Sequence, residues 1–251
     1  MTDIAIVDYG MGNLRSVSKA LEHVAPSVSV SVTSDPDRVR KADRVVVPGQ
    51  GAMPECLHEL DRYGLRDAVL HAAMNKPFLG ICLGLQMLFD SSEEGNVAGL
   101  GIVAGKVRRF PPTSTADNTH AGEPDGHEKP RFKVPHMGWN QVHQIMGHPL
   151  WEGIPEDARF YFVHSYYVET ASPESAAAYS LYPFPFTCAV ARDNIFAVQF
   201  HPEKSQEAGL KLLRNFVHWK PASRVDEQTR ISESERNINS DIETQSHLIL
   251  T

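Results

Sequence analysis

The sequence predicts an α/β fold with a mixed, mostly parallel sheet flanked by helices. Two observations carry this. Continuous apolar runs alternate with helix-spaced segments through the first hundred residues, as expected of βαβ units whose strands are buried on both faces. Several runs also end in glycine turns, and in such sheets chemistry collects beyond the carboxyl ends of the strands.

Ile4-Ala5-Ile6-Val7 reads as the first buried strand, closed by Tyr9-Gly10-Met11-Gly12. Asn13 then precedes a segment with Leu14, Val17, Leu21 and Val24 near the helical period. Val28, Val30 and Val32 alternate with serines, which suits a half-buried strand. Asp35-Pro36 supplies an N-cap and a first-turn proline for a short helix. Arg44-Val45-Val46-Val47 is a further strand, ending in Pro48-Gly49-Gln50-Gly51. Helical patterns cover 53–61 and 65–74, and Pro77 to Ile81 supplies the strand that enters Gly80-Ile81-Cys82-Leu83-Gly84. A helix-like run follows that turn.

The pattern then changes. Gly99 to Phe110 is strand-like, and 111–130 is polar and reads as an inserted loop. Strand-like runs return at 139–145, 160–168, 187–191 and 195–200 with few helices between them, so antiparallel additions to the sheet are expected. Residues 204–219 form an amphipathic helix with Leu210, Leu213, Phe216 and Val217 on one face. The domain is read as 1–220, and 221–251 as a polar tail, disordered or laid on a surface.

Composition excludes several classes of function. The net charge is −7 and no basic cluster appears, which argues against nucleic-acid and anionic-membrane partners. No stretch approaches the roughly 20 apolar residues that span a bilayer, and the amino terminus lacks a signal-peptide pattern. The 3 cysteines, Cys56, Cys82 and Cys188, are widely spaced and suggest neither a disulfide framework nor a metal site. A reducing cytoplasm is the expected setting.

Gly80-Ile81-Cys82-Leu83-Gly84 has the form of a nucleophile elbow with cysteine in place of serine. Such an elbow places Cys82 at a helix N-terminus, where the dipole and free N–H groups favour thiolate. The alternative is a structural cysteine in a glycine-punctuated turn. The second constellation is Gln199-Phe200-His201-Pro202-Glu203. In extended chain His201 and Glu203 share one side, so the carboxylate orients the imidazole and leaves its other nitrogen to act on a thiol. Taken separately this is a surface pair at a strand end; taken with Cys82 it makes a Cys-His-Glu triad. An acyl-transfer site also needs oxyanion donors: the elbow places the Leu83 N–H, and the Gly49-Gln50-Gly51 turn offers Gly51 as a second, the alternative being that its glycines only make a tight βα turn.

These residues carry a resemblance. The Gly-Ile-Cys-Leu-Gly-Leu-Gln elbow with the distant His-Pro-Glu resembles the class I (triad) glutamine amidotransferases, which implies a flavodoxin-like fold. Asp8 to Val17, Pro135-His136-Met137-Gly138-Trp139-Asn140 and Phe162-Val163-His164-Ser165-Tyr166-Tyr167 narrow it to the glutaminase subunits of imidazole glycerol phosphate synthase, from about residue 3 to 218. The resemblance implies hydrolysis of L-glutamine to glutamate and ammonia through a thioester on Cys82, with His201 as base and then acid. It implies substrate contacts at Gln86, Glu94, Ser165 and Tyr166, with the Glu94 anion suited to an α-ammonium. It also implies a heterodimer with a (β/α)8 cyclase subunit that receives the ammonia for histidine biosynthesis, with Asn13, His136, Met137 and Trp139 as contacts. No metal or organic cofactor is implied. Gln50 departs from the valine expected in the Pro-Gly-x-Gly turn. A triad cysteine hydrolase acting on γ-glutamyl substrates without a synthase partner is the competing reading.

Overall fold

The computed structural model describes residues 2–112 and 132–221. The inserted loop read at 111–130 and the tail read at 221–251 therefore lie, apart from Pro111, Pro112 and Pro221, outside the described residues. The chain divides into two units, Met1–Trp219 and Lys220–Thr251, and the first carries the fold.

The amino-terminal half runs β1 (Asp3–Val7), α1 (Leu14–Val24), β2 (Ser29–Thr33), α2 (Pro36–Lys41), β3 (Arg44–Gly49), α3 (Met53–Arg62), α4 (Arg66–Asn75) and β4 (Phe78–Cys82). The alternation is the one the sequence predicts. Asp35 caps α2 by accepting from the Asp37 N–H at 2.9 Å, with Pro36 in the first turn. There follow α5 (Leu83–Gln86), β5 (Phe89–Ser92), β6 (Val97–Ala98), β7 (Val103–Arg109), β8 (His136–Gln141), β9 (His143–Gln144), β10 (Arg159–His164), β11 (Tyr166–Thr170), β12 (Ala176–Leu181), β13 (Pro185–Arg192), β14 (Ile195–Val198) and α6 (Gln206–His218).

The main sheet has the order β2-β1-β3-β4-β14-β13-β11-β7-β5-β6. Its first five strands pair in parallel, whereas β14-β13, β13-β11 and β11-β7 are antiparallel. Alternate residues feed opposite faces: Ile4, Ile6, Val46, Leu79 and Ile81 pack into one core with α1 and α6, and Val7, Val45, Val47 and Phe78 into another with α3 and α4. Covering on both faces explains why β3 and β4 are buried at every position.

Three local expectations are corrected. The helix after Cys82 is a single turn, because Leu83, Leu85, Met87, Leu88 and Phe89 are all buried and leave no polar face for a longer surface helix. The run 160–168 is two strands, not one: β10 pairs with β8 in a separate ribbon and β11 joins the main sheet, with the change at Ser165. A strand at β12 is also not expected from the sequence, because its Ala-rich segment lacks the β-branched signature, but it fills the space beside β13 and β9.

Candidate active site

The site is built where the parallel strands end. In the β3-β4 ladder Gly49 lies opposite Cys82, so the Pro48–Gly51 turn and the elbow emerge side by side. Cys82 carries the backbone strain itself, with φ 56 and ψ −107, a conformation that non-glycine residues rarely adopt. The flanking glycines are needed for closeness. A Cβ on Gly84 would stand 1.8 Å from the Val47 carbonyl oxygen, and one on Gly80 would stand 2.7 Å from the Gly84 oxygen. Two backbones thus meet where no side chain fits, and the sharp turn lifts Cys82 to a pocket of about 350 Å³. Since α5 has only four residues, its contribution is its free N–H groups rather than a long summed dipole, which corrects the expectation of a full helix behind the thiol.

His201 arrives from the end of β14. Its N–H donates to the Tyr161 carbonyl at 2.9 Å, and its own carbonyl accepts from the Ser205 hydroxyl at 2.6 Å. Pro202–Lys204 is a 3₁₀ turn, so the two-residue alternation of an extended chain does not apply there. The pairing is nevertheless made: His201 Nδ1 donates to Glu203 Oε1 at 2.9 Å, with the two side chains 3% and 1% exposed. Burial alone would lower the imidazole pKa; the negative Cys82 sulfur and Glu203 carboxylate outweigh it and raise it to about 10. The imidazolium is therefore the form of His201 that these neighbours favour at neutral pH. Among the described residues Nε2 of His201 makes no hydrogen bond of ordinary geometry, although the Cys82 sulfur is near enough to raise the imidazole pKa, and such contacts tighten around a substrate.

The pocket is lined by Gln50, Gly51, Cys82, Leu83, Gln86 and Glu94 on one side, and by Pro135, Val163, His164, Ser165, Tyr166, His201 and Lys204 on the other. All the residues picked from the sequence for catalysis, oxyanion donation and substrate contact are therefore together, apart from Glu203, which stands behind His201. Glu94 uses Oε2 to accept from the Met53 N–H at 2.8 Å, which fixes the carboxylate at the start of α3. Gln86 is 2% exposed and its Oε1 has no hydrogen-bond partner among the described residues, a buried acceptor at the pocket wall. The Gly51 backbone has φ 96, open to glycine and unfavourable to other residues. Cys56, behind the turn, donates its thiol hydrogen to the Gln50 carbonyl at 3.3 Å; burial pushes its pKa up to about 12, so it stays a donor.

The four positions the sequence assigned to a partner contact separate here. Met137 and Trp139 are 63% and 42% exposed, and Asn13 is half-buried ahead of α1. His136 is corrected: it is 3% exposed, stacked between Phe162 and Tyr182, and therefore faces inward from β8. The strand alternation explains the split, since Met137 and Trp139 point to the side opposite His136. His136 instead belongs to a hydrogen-bonded chain. Asn140 Nδ2 meets His136 Nε2 at 3.2 Å, His136 Nδ1 meets His164 Nε2 at 2.9 Å, and His164 Nδ1 meets the Tyr166 carbonyl at 2.7 Å. Asn140 Nδ2 can only donate and the carbonyl can only accept, so the tautomers of both neutral histidines are fixed.

Residues 5–219 match the family Glutamine amidotransferase class-I. The chain belongs to that family. The amidotransferase is 70% identical over 221 residues to the imidazole glycerol phosphate synthase subunit HisH of Nitrosospira multiformis, covering 88% of this chain and 100% of that one. It is 64% identical over 221 residues to the subunit of the same name from Nitrosomonas europaea, again over 88% and 100%. Among solved structures, PurLQS from Thermotoga maritima superposes with a TM-score of 0.63 at 17% identity, over 86% of this chain and 98% of that one, a likeness of fold.

Three residues of the amidotransferase site are not singled out by the sequence. Gln199 is fully buried and its Nε2 lies 3.7 Å from the Cys82 sulfur, yet it was passed over beside the more conspicuous His201 and Glu203. A strictly polar residue closing the apolar strand Ile195–Val198 was the available signal. His164 and Lys204 also line the pocket, and neither carries a spacing that would single it out.

Proposed function

We propose that this chain is the glutaminase subunit of imidazole glycerol phosphate synthase, hydrolysing L-glutamine and passing ammonia to a (β/α)8 cyclase subunit in the cytoplasm. The observation that carries the reading is His201 held between the Glu203 carboxylate, 2.9 Å away, and the Cys82 sulfur whose charge raises its pKa. The 70% and 64% identity with proteins named as that synthase's subunit supports the pathway assignment.

In this mechanism the Cys82 thiolate adds to the γ-carboxamide carbon, and the electron pair moves to oxygen. The Leu83 and Gly51 N–H groups receive the oxyanion. His201 gives its Nε2 proton to the departing nitrogen, leaving a γ-glutamyl thioester and ammonia. Water then loses a proton to His201 as it attacks, and the C–S bond breaks to return thiolate, imidazolium and glutamate. Gln86 and Glu94 hold the amino-acid end of the substrate from one wall and Ser165 and Tyr166 from the other. The exposed Met137 and Trp139, with Asn13, form the cyclase-facing surface, and the triad domain is taken to end at about residue 220.

The test is ammonia release from glutamine by this chain alone and with the cyclase subunit and its nucleotide ligand. Strong stimulation by the partner is expected. Equal rates in both conditions would remove the coupled part of the reading, and γ-glutamyl peptide cleavage indifferent to the cyclase would replace it with a free-standing hydrolase.

A further inference from the structure

Gln199 is a buried amide that the triad leaves without a task. It sits between the end of β14 and the bend that delivers His201, and it is 0% exposed. A primary amide so placed is costly unless its groups are paired. Its Oε1 accepts from Gln86 Nε2 at 3.0 Å, and its Nε2 points at the Cys82 sulfur at 3.7 Å, a normal reach for a sulfur acceptor.

The direction of this contact is fixed from outside inward. Gln86 Nε2 also donates to the Tyr166 carbonyl at 3.2 Å, and that oxygen has no hydrogen to give back. Gln86 therefore presents its NH₂ group inward, and Gln199 can meet it only with Oε1. The NH₂ of Gln199 is left for the sulfur. The Tyr166 carbonyl is itself anchored by His164, and His164 by His136 and Asn140.

We propose that Gln199 is a further catalytic residue of this site, donating an amide hydrogen to the Cys82 sulfur so that the thiolate is favoured, with Gln86 and the Asn140-His136-His164 chain as positioning residues behind it. The inference rests on Cys82 being the nucleophile. Its value lies in the second half of the reaction. When water attacks the thioester, His201 is neutral and acts as base, so it offers the departing sulfur no proton at the outset. The electron pair of the breaking C–S bond goes to sulfur, and the Gln199 amide is a donor that does not change its charge through the cycle. A hydrogen bond to the charged form lowers the cost of forming it.

The ionisable groups that act on or are influenced by this sulfur are His201 beyond β14, Tyr9 beyond β1 and Cys56 in α3, while Glu94 and Lys204 line the same pocket. All of these remain unaltered in Gln199→Met, which keeps the volume and removes the donor, and in Gln199→Asn, which keeps an amide one methylene short of the sulfur. The readout is the pH dependence of Cys82 alkylation by iodoacetamide in the full chain, with the modified cysteine located by mass spectrometry. In both variants the alkylation midpoint is expected to rise by about one to two pH units. Turnover of glutamine with the cyclase present should fall about 10- to 100-fold, with thioester accumulating in the quenched enzyme. An unchanged midpoint and turnover within twofold in either folded variant would overturn the proposal. Alkylation needs no glutamine, so a wild-type chain that released no ammonia would count against the glutaminase reading and leave this result standing by itself.

Discussion

Three buried histidines stand at or just behind the pocket wall, one of them charged and two neutral. His201 is 2% exposed, His136 3% and His164 6%. His201 is raised to about 10, whereas His136 is lowered to about 4 and His164 to about 3. Burial is nearly equal and pushes all three the same way, so it does not decide. His201 faces the Cys82 sulfur and the Glu203 carboxylate, which together favour the imidazolium. His136 and His164 face an amide, each other and a backbone carbonyl, and a neutral hydrogen-bonded chain satisfies those groups without any charge. One arrangement makes a proton carrier and the other makes a rigid strut.

The contrast is broken most severely by removing the thiolate. Cys82→Ser is expected to cut glutamine turnover by a factor on the order of 10⁴ or more, since a hydroxyl is not ionised by the same imidazole. Stopped assays of glutamate formation with the cyclase present would measure it, and retained turnover would remove the nucleophile assignment. Next comes Glu203→Gln, which keeps the shape but takes away the charge behind His201. A loss of about 10² to 10⁴ in kcat is expected, together with a fall of the His201 pKa visible by NMR of labelled imidazole. A pKa that stayed near 10 would mean that Cys82 alone sets it.

The neutral set is tested by its stability. His136→Phe preserves the stacking with Phe162 and Tyr182 but leaves His164 Nε2 without its donor and takes one of two acceptors from Asn140 Nδ2, which keeps the Leu181 carbonyl. A loss of about 1–3 kcal/mol in urea unfolding is expected, with a smaller effect on turnover than either triad change. Acid should separate the two sets as well. The lowered pKa values of His136 and His164 mean that the unfolded chain binds more protons once pH falls below about 6.5, so stability declines from there towards pH 4 and 3. The raised His201 works in the other direction: its contribution is complete below 6.5 and is lost as pH climbs to about 10. Urea midpoints across that range would show a shoulder on each side, and a flat acid side would contradict the neutral chain. The smallest effect belongs to the outward face of the same strand. Met137→Ala should change the stability of the isolated chain by no more than about 0.5 kcal/mol while weakening cyclase binding in titration calorimetry.

Much of this was legible in the chain itself. Continuous apolar runs gave β1, β3 and β4 because strands covered on both faces have no polar positions to confuse the period. The elbow was legible because close backbone approach leaves only glycine at Gly80 and Gly84. The one-turn length of α5 was not, since a wholly buried apolar segment looks alike as helix or crossing strand. Nor was the break at Ser165, where pairing with two different sheets divides one uniform run.

The sequence by itself determined which residue types stand at the strand ends: a cysteine in a glycine elbow, a His-x-Glu, and a glycine turn beside them. Local composition and spacing suffice for that, because they are properties of short stretches. Only the tertiary structure decided what those residues become. It packed Gln86 against Gln199 from 113 positions away and brought Gln199 to the sulfur, and it turned His136 inward while leaving Met137 outside. The reason is that charge and donor direction depend on which groups meet across elements, and the strands that make them meet are distant in the chain.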